Sequence, residues 1–258
     1  MRPLILLTND DGVAAPGLEA LAGALGELGE VVVVAPERER SAVSHALSLH
    51  KPLRVSSPRP GWHACSGTPA DCVYIGMNHV LDRPPALVAS GINSQVNVGD
   101  DVIYSGTVAG AREAALMDVA RSVAFSVDAR RSDYGAAAAR AAEFCEALLS
   151  RPVPEGVLFN VNFPPGTGPE TPWRLTRLGL RNYGRTVTRK TDPRGRDYFW
   201  IGGEFLGFGD LPGSDCNAIG EGAASVTPVQ LRGPAQEAMG AMAGWPIFGG
   251  PAREPGAG

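Results

Sequence analysis

The chain has 258 residues, 44% of them hydrophobic, and a formal net charge of −4. These values suit one globular domain with a proper core, or one domain with an added segment, and they exclude the basic field that long nucleic acids or anionic membranes would select. A small anionic substrate remains compatible with a local cation site. No apolar run is as long as a membrane-spanning helix, and the apolar run near the N-terminus is too short for the core of a secretory signal. We therefore expect a cytoplasmic protein.

The chain begins with a strand–helix–strand pattern. Residues 3–8 and 31–35 are short apolar runs that predict buried strands, and leucines at helical spacing predict a helix over residues 17–28. Such a unit has parallel strands and a right-handed crossover. Residues 45–55 and 62–66 alternate more strongly and carry Pro and Gly between them, which predicts a hairpin-like excursion.

Strands and helices continue to alternate as far as residue 162. Further strands are predicted at residues 86–89, 119–127 and 157–162, and further helices at residues 71–77, 107–117 and 133–150. The pattern predicts an α/β fold, a doubly wound Rossmann-like αβα sandwich with a mostly parallel sheet.

The amino-acid composition of the chain changes after Pro165. Residues 173–178 and 224–229 predict short strands, whereas residues 181–205 are rich in Arg, Gly, Tyr and Thr and predict an extended β arm or hairpin. An arm with so little apolar content of its own needs a surface on which to lie. We therefore expect it to pack on another subunit.

Two adjacent carboxylates, Asp10 and Asp11, follow the first predicted strand. The carboxyl ends of parallel strands are where open α/β sheets bind ligands, and two acids at such an end can hold a metal ion, orient water or move a proton. Asp is also common in turns and at helix N-caps for structural reasons alone. On these two residues alone, the structural and the chemical interpretations are balanced.

More polar residues fall on the same edge of the predicted sheet. Ser41 follows the second strand, Asn93 and Asn97 follow the third core strand, and a helix begins at Ser105–Thr107. Carboxylate, hydroxyl and amide oxygens suit Mg²⁺ or Mn²⁺ rather than zinc. A helix N-terminus with small hydroxyl residues binds anions. A cation site beside an anion site predicts phosphoryl chemistry.

These residues resemble the SurE family, the stationary-phase survival proteins that act as metal-dependent nucleoside-monophosphate phosphatases. The opening segment Thr8-Asn9-Asp10-Asp11-Gly12, followed by Pro16-Gly17, is similar to the family signature. Further similar segments occur in collinear order, so that the resemblance spans about residues 3–230. They are Ala35-Pro36 with Ser41, Gly67–Val73, Ser90–Asn93 with Asn97, Ser105–Ala111, Asn160–Pro164 and Ser225–Pro228.

The resemblance implies a 5′-nucleotidase that hydrolyses nucleoside monophosphates by in-line attack of a metal-activated water, with 3′-nucleotidase or exopolyphosphatase activity as additions. It implies one Mg²⁺ or Mn²⁺ ion per subunit, a small-molecule substrate, no long nucleic acid or membrane partner, and a homodimer or homotetramer with an exchanged C-terminal arm. The implied metal ligands are Asp10, Asp11, Ser41 and Asn93. The implied catalytic residues are Asp10, Asp11 and Asn9, which orients water or phosphate.

The resemblance also implies where the substrate binds. The implied phosphate site consists of Asn97, Ser105, Gly106 and Thr107, and the implied nucleotide-specificity segment runs from Gly67 and Thr68 to Asp71. The family usually has Gly where this chain has Gln95 and Ala42. These departures put substrate preference in question more than metal binding.

Two other classes of protein are open alternatives. A phospho-receiver signalling domain also places an acid pair after its first strand, but it needs a Lys at the end of a later strand, which Phe125-Ser126-Val127 does not offer. A non-catalytic nucleotide-binding module of Rossmann type would carry G-x-G-x-x-G after the first strand, where this chain has Asn-Asp-Asp-Gly.

Ser41 could be mistaken for a catalytic nucleophile. The sequence supplies neither the general base nor the residue orienting that base which a nucleophilic serine requires, so Ser41 is assigned to the metal.

Three parts of the chain are expected from these patterns. The α/β catalytic core is expected to comprise residues 1–165 and about 222–245, with a closing helix at residues 234–243. An extended β arm used in oligomerisation is expected at about residues 166–221, and a disordered tail at residues 246–258.

Overall fold

The computed structural model describes residues 2–231, which form thirteen strands and six α-helices. The strands are β1 (Leu4–Thr8), β2 (Glu30–Pro36), β3 (Val55–Arg59), β4 (Trp62–Cys65), β5 (Leu87–Asn93), β6 (Ser122–Val127), β7 (Val157–Phe163), β8 (Trp173–Leu175), β9 (Leu180–Tyr183), β10 (Thr186–Thr191), β11 (Asp197–Gly202), β12 (Phe205–Gly209) and β13 (Ala224–Gln230). The helices are α1 (Pro16–Gly26), α2 (Pro69–Ile75), α3 (Asp101–Tyr104), α4 (Gly106–Leu116), α5 (Tyr134–Ser150) and α6 (Asp215–Gly220), and a π-helical turn, Gly76–Val80, follows α2.

Nine strands form one mixed, mostly parallel sheet in the order β3-β4-β2-β1-β5-β6-β7-β13-β8. Strands β1 and β5 pair with each other at the centre. The sheet extends from β1 through β2 and β4 on one side and from β5 through β6 and β7 on the other, and all of these pairings are parallel. The neighbours β1 and β5 therefore flank the point at which the strand order reverses. Ligands of open α/β sheets bind at the carboxyl ends of such strands.

Helices cover both faces of this sheet. On one face, α1 buries Leu18 and Leu21 and α5 buries Ala141 in the largest apolar cluster of the described chain. On the other face, α2 contributes Val73 and α4 contributes Ala114 to a second cluster. Strand β1 between them is completely buried, as the apolar run predicted. The predicted doubly wound αβα sandwich is confirmed.

The main differences from the predicted elements concern short segments. Helices α3 and α6 have only four and six residues, too few to show a helical period in the sequence. The predicted excursion over 45–66 is a hairpin only from β3 to β4, which pair antiparallel, while residues 45–54 have neither helix nor strand. The predicted strand over 119–127 begins at Ser122.

Between β8 and α6 the chain forms the predicted extended β structure. Strands β9 and β12 pair with each other, and β10 and β11 form a separate antiparallel hairpin. Every residue of β10 and β11 is exposed. The arm is therefore extended, as expected, and its use in oligomerisation stays a prediction.

Some expectations cannot be compared with the structure. The closing helix at residues 234–243 and the tail at residues 246–258 lie outside the described residues. The division of the chain into core, arm and tail and the cytoplasmic location also stay predictions. In the stretch from residue 2 to residue 231, no helix combines the length and the apolarity that crossing a membrane requires.

Candidate metal and phosphate site

A cavity of about 250 Å³ opens at the carboxyl ends of β1, β2 and β5. Its walls come from the loops that follow these three strands and from the start of α4, which is the edge that the sequence predicted. Six of the predicted site residues line it. They are Asp10, Asp11, Ser41, Asn93, Asn97 and Ser105.

Asp10 is fixed between the end of β1 and the start of α4. Its side chain is 5% exposed, and Oδ1 accepts a hydrogen bond from the Thr107 hydroxyl. Helix α4 can come this close because residue 106 is glycine: a Cβ there would lie 2.8 Å from Asp10 Cβ. Burial raises the pKa of Asp10 to about 6; the Thr107 bond opposes that rise and the charge of Asp11 adds to it.

Asp11 lies in the same cavity and is less buried. Burial raises the pKa of Asp11 as well, a backbone hydrogen bond from Ser94 opposes the rise, and the charge of Glu39 adds to it. Two carboxylates whose ionised forms are disfavoured share one small space. Such a pair is typical of functional sites, where a bound cation would favour the ionised form of both carboxyl groups.

The charges of the lining residues indicate that the cavity suits a cation. Four carboxylates line it, namely those of Asp10, Asp11, Glu39 and Asp101, whereas the one guanidinium among the lining residues, from Arg181, is ion-paired with Asp101. A phosphate dianion would be repelled here unless a cation were bound first.

The neutral ligands complete an oxygen donor set. The Ser41 hydroxyl donates to Glu39 Oε1 at 2.6 Å, so its lone pairs can still face a ligand. Asn93 Nδ2 donates to the Gln95 carbonyl at 2.6 Å, which leaves the amide oxygen as its cation-binding group. Residues 2–231 contain no cluster of three or more His, Cys, Asp or Glu side chains arranged for a metal. Two carboxylates with hydroxyl and amide oxygens suit a hard cation that keeps several waters.

Asn97 is held by two buried asparagines of β7. Its backbone N–H donates to Asn162 Oδ1 at 2.7 Å, and its carbonyl accepts from Asn160 Nδ2 at 2.8 Å. Its own Nδ2 donates to Ser126 Oγ at 2.9 Å. Asn160 and Asn162 are not among the site residues that the sequence predicts. The signal for a larger role was the presence of two amides, both facing the same side of an otherwise apolar strand.

The predicted phosphate site is only partly on the cavity wall. Ser105 lines the cavity and caps α4, since its Oγ accepts from the Val108 N–H at 3.1 Å. Thr107 is completely buried and uses its hydroxyl on Asp10, and Gly106 lies beneath the same carboxylate. Gly106 and Thr107 therefore support Asp10 directly, and their predicted contact with phosphate stays a prediction.

Three other predicted site residues lie away from the cavity lining. Asn9 is buried, and both polar atoms of its side chain bond to the backbone of Gly12, which builds the turn that carries Asp10. Gly67 and Thr68 lie at the start of α2, where the Thr68 hydroxyl donates to the Ala46 carbonyl at 2.7 Å. The catalytic role of Asn9 and the specificity role of Gly67 and Thr68 stay predictions.

Sequence reasoning missed several residues of the cavity wall. Arg181 and Tyr183 reach it from β9, and the Tyr183 hydroxyl donates to Asp101 at 3.2 Å. Asp101 and Tyr104 come from the short helix α3. No local pattern marks these residues, because the arm reaches the site through tertiary pairing about eighty residues further along the chain.

The fold and the site together define a doubly wound α/β protein with an oxygen-lined candidate cation site and a helix N-terminus at its switch point. The profile of the family described as Survival protein SurE matches residues 5–185. The 5′-nucleotidase SurE of Anaeromyxobacter dehalogenans strain 2CP-C is 52% identical over 250 residues, covering 95% of this chain and 96% of that protein. The chain belongs to the SurE family.

Two further relatives support this assignment along nearly the whole chain. The 5′-nucleotidase SurE of Myxococcus xanthus strain DK1622 is 47% identical over 254 residues, covering 97% of this chain and 96% of that protein. The crystal structure of the SurE protein from Aquifex aeolicus superposes with a TM-score of 0.82 at 37% identity, covering 93% of this chain and 98% of that one.

Proposed function

We propose that this protein is a metal-dependent 5′-nucleotidase, which hydrolyses nucleoside monophosphates to nucleoside and phosphate. Its curated relatives carry the name 5′-nucleotidase SurE. The observation that carries the proposal is the meeting of Asp10, Asp11, Ser41 and Asn93 in one cavity beside the start of α4. The substrate is accordingly a small molecule with one phosphate monoester.

One Mg²⁺ or Mn²⁺ ion fits the donor set, with Asp10, Asp11, Ser41 and Asn93 as its protein ligands. The excess of negative charge in the cavity supports this choice, since no phosphate would enter it otherwise. When bound, such an ion polarises a phosphoryl oxygen and lowers the pKa of a water molecule.

Side chains and a helix N-terminus of the protein supply the metal ligands, the proton acceptor and the stabilisation of phosphoryl charge. Asp10, held by Thr107 and by the close approach of α4, is a rigid ligand. Asp11 is less buried, and we assign it the proton of the attacking water. The start of α4 at Ser105 and the side-chain amide of Asn97 offset charge on the phosphoryl oxygens while the water oxygen bonds to phosphorus and the ester P–O bond breaks. The leaving oxygen takes up a proton from solvent, and the nucleoside departs with a free hydroxyl.

Phosphate release from AMP tests this proposal. With Mn²⁺ or Mg²⁺ we expect many turnovers per subunit, loss of turnover with EDTA, and recovery on adding excess metal. AMP, 3′-AMP and tripolyphosphate in parallel would rank the 5′-nucleotidase, 3′-nucleotidase and exopolyphosphatase activities. A single stoichiometric phosphorylation would indicate a receiver domain, and binding without turnover of any nucleotide would indicate a non-catalytic module; both results contradict the proposal.

We also propose that the arm, about residues 166–221, packs on a second copy of the chain through the β10–β11 hairpin. The hairpin carries apolar side chains on both faces, with Trp200 63% and Ile201 91% exposed. Cross-strand pairing places Ile201 opposite Val187 and Trp200 opposite Thr188. A two-stranded hairpin of this kind is not stable alone in water, so it requires a surface to pack against.

A further inference from the structure

A second cavity, of about 580 Å³, adjoins the candidate metal and phosphate site. Gln95, Val96 and Arg181 line both cavities, so the two cavities adjoin at these residues. Arg181 is fixed at this junction by its ion pair with Asp101 and by a hydrogen bond to the Val96 carbonyl at 3.2 Å. A ligand that extends out of one cavity past these residues therefore meets the lining of the other.

The second cavity has an aromatic and apolar wall. Phe205 and Phe208 of β12 line it with Ile219 of α6, and the two rings meet edge to face with centroids 5.2 Å apart. The Arg181 guanidinium lies 5.1 Å from the centre of the Phe205 ring. Phe205 is 46% exposed although it lies beside a polar site. Aromatic rings with a neighbouring guanidinium form the kind of surface on which a flat heteroaromatic ring stacks.

The charge of this cavity is opposite to that of the first one. Arg130 and Arg131 line it together with Asp128, and within residues 2–231 neither guanidinium forms an ion pair. The N–H groups of these side chains are donors without acceptor capacity. They suit the ring nitrogens and carbonyl oxygens of a base, whereas the first cavity suits a cation.

We propose that the second cavity binds the nucleobase of the substrate, with Phe205 and Phe208 as its stacking surface. This inference rests on the proposed function, because it needs the phosphate in the first cavity. One ribose separates phosphate from base in a nucleoside monophosphate, and the two cavities adjoin at the residues that line both of them. Gln95 is one of these shared residues, so its departure from the usual glycine of the family falls where the ribose would lie.

Kinetics with a matched pair of substrates test the inference. AMP and ribose 5-phosphate share the phosphate and the sugar, and only AMP carries a base. We expect Phe208→Ala to raise KM for AMP about tenfold, the typical loss when an aromatic stacking partner of a base is removed, while kcat for AMP and KM for ribose 5-phosphate change less than about twofold. Leu206→Ala is the matched control, because Leu206 lies on the same strand, is 63% exposed and does not line the cavity.

Three outcomes overturn the inference: an unchanged KM for AMP, an equal rise for both substrates, or an equal effect of Leu206→Ala. If Phe208→Ala does not fold, Phe208→Leu removes the ring, keeps apolar bulk and is expected to shift KM for AMP in the same direction. If the wild-type protein hydrolyses neither substrate, the proposed function fails on its own. Calorimetric titration with adenosine then decides the base site: binding that Phe208→Ala weakens supports it, and absence of binding contradicts it.

Discussion

At the scale of single residues, Asp10 shows most clearly that the site is arranged for a ligand. It is almost completely buried, shares its cavity with Asp11 and has the Thr107 hydroxyl as its side-chain partner. Its pKa rises from 3.8 to about 6, chiefly because burial removes water from the charged form. Between these two pH values the folded protein holds a proton that the unfolded chain releases. Without a bound cation, the contribution of Asp10 to the free energy of unfolding therefore falls as pH rises through that interval.

Asp10→Asn is expected to stabilise the metal-free protein at neutral pH. The amide oxygen can still accept from Thr107, and the unfavourable charge is gone. From the pKa rise, the free energy of unfolding with EDTA at pH 7.5 should exceed that of the wild type by about 3 kcal/mol, and the two should converge near pH 4. Urea unfolding at both pH values measures this difference.

The same variant should lose most of its stabilisation by Mn²⁺ and nearly all phosphatase activity, because a metal ligand is removed. Asp82→Asn, at an exposed position outside the cavity lining, serves as the control and should follow the wild type at each pH. An Asp10→Asn variant that is less stable than the wild type at pH 7.5 without metal would contradict this explanation.

The residues whose position at the sheet edge follows from the sequence share one property. Asp10, Asp11 and Asn93 follow or end apolar strands, so chain order alone places them at the binding edge of a parallel sheet. Arg181 and Asn162 could not be assigned to the site in the same way. Their positions depend on how the arm and β7 pack against distant loops, which no local period in the sequence encodes.

At the scale of elements, the segment from Ser41 to Ser48 is fixed by three helices, although it has no regular structure itself. The Ser44 N–H donates to the Tyr104 carbonyl of α3 at 3.0 Å, and His45 Nε2 meets Glu113 Oε2 of α4 at 2.7 Å. The Ser48 N–H donates to Asp71 Oδ1 of α2 at 2.8 Å. These contacts hold the segment that carries Ser41 at the rim of the cavity.

Asp71→Ala is expected to loosen this segment. Asp71 closes the capping box of α2 with Thr68 and also accepts from Ser48, so its loss should lower the free energy of unfolding by about 1 to 2 kcal/mol. Hydrogen exchange over residues 41–54 should become faster, and the Kd for Mn²⁺ should rise about threefold.

Asp133→Ala provides the comparison, because Asp133 caps the remote helix α5 through the Ala136 N–H at 3.2 Å. It should cost about 1 kcal/mol of stability while leaving exchange over residues 41–54 and Mn²⁺ binding unchanged. Equal effects of both variants on Mn²⁺ binding would show that general destabilisation, and not this anchor, is responsible.

At the scale of the whole molecule, the β10–β11 hairpin exposes the apolar side chains on which the proposed contact with a second copy of the chain rests. Replacing Trp200 and Ile201 together by Glu should convert an oligomer into a monomer, because charges in an apolar interface oppose association. Light scattering after size-exclusion chromatography measures the mass. Arg196→Glu, at the exposed turn of the same hairpin, should leave the mass unchanged. A wild-type protein that is monomeric at micromolar concentration would refute the proposed interface.

The position of β13 in the sheet has a consequence for synthesis. This strand lies between β7 and β8, both of which leave the ribosome before it. Until residues 224–230 have been synthesised, one edge of β7 keeps unpaired backbone N–H and C=O groups, and β8 has no neighbouring strand with which to pair. The arm has already been made by then. The sheet is thus completed by the last strand of the described chain, and translation pausing before residue 224 should expose the protein to aggregation more than pausing after residue 231.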